Sequence, residues 1–227
     1  MRGRIAYLRD GQGERGREDF SITVHGDGAR TVRAQCEMDD IRLLRDVTYS
    51  VDAAWRPLDA FVRLVSQDRF FGSAWFRFDD RGAECEAFTA GDGRVHQRRE
   101  LGCRPLLFVP HPLVCDGWQA SAYDYTRGPG VQRLEPCANS SPRPDGGSGP
   151  ALGLSHKHLQ YVGDQTLEVA AGRFACRHLR ILPPEGDEAH GVPLDIWVTG
   201  TDFILVRMRW DLLRSTYDLV ALEGELR

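Results

Sequence analysis

The residues best suited to acid–base chemistry lie together in one short stretch, residues 104–130. His111 stands between Pro110 and Pro112, which restrict the backbone and can aim the imidazole inward. An imidazole beside a carboxylate can act as a general acid or base at neutral pH. The carboxylates and phenols nearest in sequence are Asp116, Tyr123 and Asp124. The stretch predicts either a small-molecule pocket with His111 as proton carrier or a loop histidine held by a structural hydrogen bond.

Tyr49 completes the candidate catalytic set. It alternates with Val47 and Val51, so its phenol should point to the apolar side of a strand. A buried phenol needs a hydrogen-bond partner. Tyr49 is therefore either a charge-stabilising donor in the pocket or an ordinary core tyrosine.

The WFRF motif supplies candidate ligand contacts. If Phe76 and Phe78 face the core, Trp75 and Arg77 face either a cavity or solvent. Arg77 and Arg63 could hold an acidic group of a ligand in bidentate fashion. The alternative is a surface arginine lying over an aromatic ring. The predicted ligand-binding set also includes Phe108, Trp118 and Tyr125.

A metal site is not expected. His156 and His158 would share one face of a strand, but zinc or iron needs a third or fourth ligand, and the other histidines lie on separate segments. A solvated strand face is the preferred interpretation. The chain has no GxGxxG opening a helix, no GxxxxGK[ST] and no GxSxG, so we expect no nucleotide cofactor and no hydrolase elbow.

The elements that must position these residues are mostly strands. Apolar and polar residues alternate from REDFSITVH onward, and turn signals recur every 8–12 residues. This pattern predicts an all-β domain spanning residues 1–227, with ten to twelve short strands in one antiparallel, strongly curved sheet. The sheet would form an open or half-closed barrel. Residues 108–127 would cross its mouth as a short helix or coil.

The sequence also predicts one long loop and one turn from the positions of its glycine, proline and serine residues. Residues 137–153 are rich in all three and are predicted to form a mobile surface loop within the single domain. A turn is predicted at Val162-Gly163-Asp164, which would divide the sequence that follows this loop into three strands.

The C-terminal part of the chain resembles a known group of domains. The sequences LEVAAGRFACRHLRI and DIWVTGTDFILVRMRW are similar to the C-terminal half of certain bacterial domains of unknown function with a lipocalin-like or lipoprotein-carrier-like half-barrel. The resemblance covers roughly the last 70 residues. It implies a calycin-like concave sheet that holds a hydrophobic molecule, and it carries over no catalytic residues.

Composition limits the partners. A net charge of −4 and a pI near 6.0 argue against nucleic acid, and the chain has no apolar run long enough to span a membrane. Lys157 is the one lysine among 29 basic residues. The six cysteines show no CxxC pair, and the N-terminal residues lack the apolar run of a secretory signal. We therefore expect reduced thiols and a cytoplasmic location.

The function that the sequence favours is binding of an apolar small molecule, aromatic or isoprenoid in type, in the concavity. The alternative is a cofactor-free lyase, hydratase or isomerase that uses His111 as general acid or base, oriented by Asp116 or Asp124. A third reading is an interaction module with a flat apolar face. The sequence leaves a homodimer open.

Overall fold

The computed structural model describes residues 1–143, 146–183 and 192–226, and it confirms the predicted all-β fold. The described chain contains 15 strands in a single sheet and one short α-helix, α1 (Leu113–Trp118). The first eight strands are β1 (Arg2–Arg9), β2 (Gly13–Val24), β3 (Arg30–Met38), β4 (Leu43–Val51), β5 (Pro57–Ser66), β6 (Arg69–Asp79), β7 (Gly82–Thr89) and β8 (Gly93–Glu100). The others are β9 (Leu107–Val109), β10 (Gly130–Asn139), β11 (Gly153–Val169), β12 (Gly172–Leu182), β13 (Leu194–Thr199), β14 (Leu205–Trp210) and β15 (Ser215–Glu223).

The sheet consists of two meanders that are joined by the pairing of its first and last strands. Strands β8 to β1 follow one another, β1 pairs with β15, and strands β15 to β9 continue to the other edge. Neighbouring strands are antiparallel, except that β9 and β10 are parallel, so the predicted purely antiparallel sheet is corrected to a mixed one. The described part of the sheet does not close by backbone pairing, since β8 and β9 are its two edges. No helix within the described ranges is long and apolar enough to cross a bilayer.

Three strand predictions were wrong, and the first is the number of strands, which is fifteen within the described residues instead of ten to twelve. Strand β1, which lies at the centre of the sheet, was not predicted. The turn predicted at residues 162–164 is absent, because β11 runs without a break from Gly153 to Val169. Its pairing with β12 shifts register between Tyr161 and Gly163, and Gly163 has a φ of 147°. The glycine therefore serves a β-bulge instead of a chain reversal.

The stretch that follows β8 lies inside the curve of the sheet. Phe108 packs against Phe76 and Phe78 of β6, with ring centroids 4.9 and 4.8 Å apart. On the other side, a Cβ on Gly117 would lie 2.6 Å from the carbonyl oxygen of Phe203, just before β14. The two halves of the sheet thus enclose this inserted segment, residues 107–122, and its apolar side chains extend the core.

Glu18 fixes where α1 begins. Its side chain, completely buried on β2, accepts hydrogen bonds from the backbone N–H groups of Leu113 (2.7 Å) and Val114 (2.9 Å). The hydroxyl of Tyr7 donates a third bond at 3.0 Å. These bonds satisfy amides that have no partner within a helix. Burial raises the pKa of Glu18, and the bonds from the helix amides oppose that rise.

Arg45 holds the segment from a neighbouring strand. It lies two strands from Glu18 in the same cross-strand row, with Cys36 between them. Its buried guanidinium donates to the carbonyl oxygens of Gly146 (2.6 Å) and His111 (3.5 Å). Arg45 therefore ties β4 both to the inserted segment and to the loop after β10.

That loop is shorter and better anchored than predicted. Residues 137–139 belong to β10, and Pro144 and Asp145 lie outside the described residues. Leu152 donates its N–H to Gln97 of β8 at 2.7 Å, and its carbonyl oxygen accepts from the same side chain at 3.4 Å. Because Ser140 also donates its N–H to the carbonyl oxygen of Val109 in β9 at 3.1 Å, the described parts of the loop contact both edges of the sheet.

We expect Glu18→Gln to lower the free energy of unfolding by about 2–4 kcal/mol, because each carboxylate oxygen accepts from one helix N–H, and the amide NH₂ that replaces one oxygen would face an N–H donor. Urea unfolding measures this change. Glu14→Gln on the same strand is the control, since Glu14 is half-exposed and should be replaced at little cost. Equal stability of Glu18→Gln and the wild type would contradict this account of the segment.

Candidate ligand-binding cavity

A cavity of about 370 Å³ lies on one side of the inserted segment. The inner faces of the central strands and of β11 to β14 form its walls, and α1 borders it. Most of its wall is apolar, and the apolar residues include Met38, Val109, Leu113, Ile181, Leu194 and Met208. The alternation along each strand selects these positions. In β11, for example, Ser155 and Lys157 line the cavity, whereas His156 and His158 point to the opposite face.

One group of polar residues on the wall is internally paired. Arg15 donates to the hydroxyl of Tyr217 at 2.6 Å and lies 3.3 Å from a carboxylate oxygen of Asp40. Arg9 also approaches Asp40, at 3.6 Å. Two guanidinium groups therefore share one carboxylate at this end of the cavity.

Asp116 is the carboxyl group that the inserted segment presents to the cavity. It sits on α1, partly buried, and accepts a hydrogen bond from the amide of Gln119 at 2.8 Å. Burial raises its pKa to about 7, and the negative charge of Glu18 adds to the rise. Lys157 and the hydrogen bond from Gln119 oppose it. Asp116 can therefore exchange a proton at neutral pH.

Lys157 is the cation on the cavity wall that is best placed to bind a ligand. Its side chain lines the cavity from the inner face of β11 and is partly buried. Its ammonium group makes no ion pair and no hydrogen bond with any residue that the structure describes. Its charge still reaches the opposite wall, where it lowers the pKa of Asp116.

His111 lines the same cavity as Asp116, so the structure brings these two predicted residues together. Its backbone has a φ of 76°, in the left-handed region. Gly146 packs so closely that a Cβ there would lie 2.7 Å from the imidazole Cγ. The flanking prolines and this contact together hold the ring in place.

The other three predicted catalytic residues lie away from the cavity. Tyr49 is buried between Phe108 and Trp118, and burial raises its pKa well above the usual value. Tyr123 donates to carbonyl oxygens at residues 128 and 130, at 2.8 and 3.0 Å. Asp124 is exposed and accepts from the N–H and hydroxyl of Thr126. Each has a local structural role, and the prediction that they share a pocket with His111 is corrected.

The predicted ligand contacts divide into two groups, neither of which faces the main cavity. Trp75, Arg77 and Arg63 lie on the outer face, where Trp75 is 46% exposed and Arg63 pairs with Asp46 at 3.3 Å. The outer position follows from Phe76 and Phe78, which take the inner face as predicted.

Phe108, Trp118 and Tyr125 belong to the packing around the inserted segment. Phe108 and Trp118 are almost completely buried, and the guanidinium of Arg177 lies 4.0 Å from the ring centre of Tyr125. Trp118 also borders a second hollow of about 220 Å³, beyond the other end of α1, together with Trp55 and Arg30.

The histidine pair on β11 has no third ligand among the described residues. The rings of His156 and His158 are 5.3 Å apart on the outer face. The described chain contains one other arrangement with metal-ligand spacing, formed by Glu84, Glu86 and His96 on β7 and β8. It is largely exposed, and His96 is already hydrogen-bonded to Glu86 at 2.7 Å.

Sequence reasoning missed Lys157 and Gln119 and gave Arg45 no role. The alternation in DIRLLRDVTYSVD does place Arg45 on the apolar face of β4, which is a signal for a buried and partnered charge. Lys157 shares the inner phase with Ser155 and Leu159, and its being the one lysine in the chain is the other available signal.

Fold and cavity together define a β-barrel-like domain with a hollow interior. No family model matches the chain, and no curated protein matches it. Among solved structures it is similar to a β-barrel-like protein of the domain of unknown function DUF1849 from Brucella abortus. That match has a TM-score of 0.59 and 10% identity, and it covers 97% of this chain and 95% of the other. A DUF1089 family protein from Pseudomonas aeruginosa has a TM-score of 0.42 at 12% identity, over 83% of this chain and 87% of the other. At this identity the first similarity shows the fold alone.

The raised pKa of Asp116 makes folding stability depend on pH. Between the ordinary pKa of 3.8 and the folded value of about 7, the unfolded chain loses this proton while the folded protein keeps it. The contribution of Asp116 is therefore greatest below pH 4 and is lost as the pH rises through 7.

We expect Asp116→Asn to gain about 1–3 kcal/mol in stability relative to the wild type when the pH is raised from 5 to 8. Urea unfolding of both proteins at the two pH values measures the difference. Asp124→Asn is the matched control, because the pKa of Asp124 is lowered and its charge does not change in this range. A stability difference between Asp116→Asn and wild type that stays constant with pH would contradict the burial of Asp116.

Proposed function

We propose that the protein binds a small, largely apolar molecule, aromatic or isoprenoid in type, in the interior cavity beside α1. The observation that carries this proposal is the cavity itself. Its volume of about 370 Å³ lies within the range of roughly 300–1,000 Å³ that is typical of small-molecule sites. Such sites combine a mostly apolar wall with a few polar groups, which is the composition found here.

The packing of the remaining interior supports a functional cavity. Protein cores are close-packed, and an unfilled hollow costs stability. On the other side of α1, Phe108, Tyr49 and Trp118 fill the space with aromatic rings. The cavity side instead carries Met38 and Met208, whose unbranched side chains adapt to varied ligand shapes.

The finer proposal is a lipocalin-like or lipoprotein-carrier-like mode of binding in a cytoplasmic protein. Enclosure of a ligand between the halves of a curved sheet supports the first part. Each of the six cysteines, all within the described ranges, is a free thiol, which supports the second. The exposed outer-face aromatics Phe61 and Trp75, paired across β5 and β6, offer a surface for a homodimer.

A substitution that fills the cavity tests the proposal. We expect Ile181→Trp to reduce the affinity for the neutral dye Nile red by about tenfold or more, because the indole would occupy the ligand space. Fluorescence titration measures the affinity. Val131→Trp adds the same group at an exposed position on β10 and should bind the dye like the wild type.

Thermal unfolding measures whether both tryptophan variants are folded. If Ile181→Trp does not fold, Leu194→Trp on β13 fills the same cavity and replaces it in the test. Undiminished dye binding by a folded, cavity-filled variant would show that the dye binds elsewhere and would remove the support for this site.

A second candidate function is cofactor-independent lyase, hydratase or isomerase chemistry in the same cavity. The observation in its favour is that Asp116, whose pKa is about 7, shares the wall with His111. A proton carrier works best when its pKa lies near the working pH. Of the predicted catalytic set, this candidate retains His111 and Asp116.

His111→Asn separates the two candidates, since asparagine tolerates the left-handed backbone at this position. For a binding protein we expect the affinity for Nile red to stay within about threefold of the wild type. For an enzyme, turnover of a bound ligand should fall by roughly 10²–10⁴-fold. Asp124→Asn, outside the cavity, should change neither quantity.

A further inference from the structure

We propose that the ligand is an amphiphilic acid whose carboxylate pairs with Lys157 while its apolar part lies along the cavity wall. This inference rests on the proposed function and specifies its ligand class. It assigns to the cavity a polar subsite that the apolar lining alone does not define.

The first argument is the position of Lys157. A lysine that faces the interior of a protein is normally paired, since an isolated buried cation is unfavourable. Lys157 lies on the inner face of β11 and lines the cavity. Within the described residues, no carboxylate lies within ion-pair distance of its ammonium group. An anionic ligand group would supply that partner.

The second argument is the charge balance of the same wall. Counted over the described residues, Arg9 and Arg15 at one end share the single carboxylate of Asp40, which leaves an excess of positive charge among them. Lys157 adds to it from the opposite strand. The whole chain carries a net charge of −4, so this cationic interior differs in sign from the protein around it. An anion is attracted to such a site, and a cation is repelled.

The third argument concerns Asp116, the carboxyl group that an anionic ligand would meet. The charged groups that act on it are Glu18 from β2, Arg45 from β4 and Lys157 from β11, and Gln119 of the inserted segment donates to it. Its pKa of about 7 means that little free energy is needed to protonate it at neutral pH. In the protonated form Asp116 donates a hydrogen bond to the ligand instead of repelling it.

The apolar requirement comes from the neighbouring wall. Ile181 of β12, Leu194 of β13 and Met208 of β14 line the same cavity with apolar side chains. A small hydrophilic anion would leave this surface uncovered. A carboxylic acid with an alkyl or isoprenoid tail satisfies both parts of the cavity.

The test compares matched acids and alcohols of six to twelve carbons, such as decanoate and 1-decanol, by calorimetry at pH 7. We expect the wild type to prefer the acid by about tenfold or more. Lys157→Met should lower the affinity for the acid by about 10- to 100-fold and leave the alcohol within about threefold. Arg33→Met removes a cation from the outer face of β3 and should change neither affinity.

The outcomes separate the two proposals. Equal affinity for acid and alcohol in the wild type, or an acid preference that survives in folded Lys157→Met, would overturn the anionic subsite and leave the apolar site standing. Failure of both ligand classes and of Nile red to bind the wild type would overturn the proposed function itself. Retained Nile red binding by Lys157→Met shows that a lost acid preference does not come from misfolding.

Discussion

The structure depends on the buried carboxylate of Glu18, which accepts hydrogen bonds from the first two backbone N–H groups of α1. A helix of six residues is too short to be stable alone, because nucleation costs more than so few hydrogen bonds return. Its position is set by tertiary contacts, and Glu18 supplies the most specific of them. The cost of burying this side chain is offset by the helix amides, by the bond from Tyr7 and by a weaker bond from the thiol of Cys36 at 3.5 Å.

Placing α1 inside the sheet divides the interior into unequal parts. On one side the rings of Phe108, Tyr49 and Trp118 pack against one another, and the hollow that Trp118 borders there is smaller, about 220 Å³. On the other side the walls remain apart, and His111, Asp116 and Lys157 meet around the cavity. The inserted segment is therefore part of the core and also one wall of the candidate site. Because Glu18 fixes the position of α1, it also fixes the shape of the cavity.

The two-residue period was sufficient to predict the fold class, because a strand buried on one face alternates apolar and polar residues in the sequence. It placed Arg45 on the inner face of β4 and Trp75 beside Arg77 on the opposite face from Phe76. It failed at Gly163, since a glycine that permits a turn also permits a bulge. The site was harder to predict, because Tyr123 and Asp124 follow His111 closely in sequence but make local bonds beyond α1. Lys157 could not be identified as a cavity residue from the sequence. Strands that are distant in sequence determine which inner-face positions border the cavity.

We have proposed that the hollow beside α1 is a ligand site. A crystal structure of the protein with bound decanoate tests it most directly. We expect density for the acid between α1 and β11–β14, with its carboxylate within about 3 Å of the Lys157 ammonium group. A cavity collapsed onto its own side chains, or decanoate found on the outer face near Trp75 while the cavity stays empty, would contradict it.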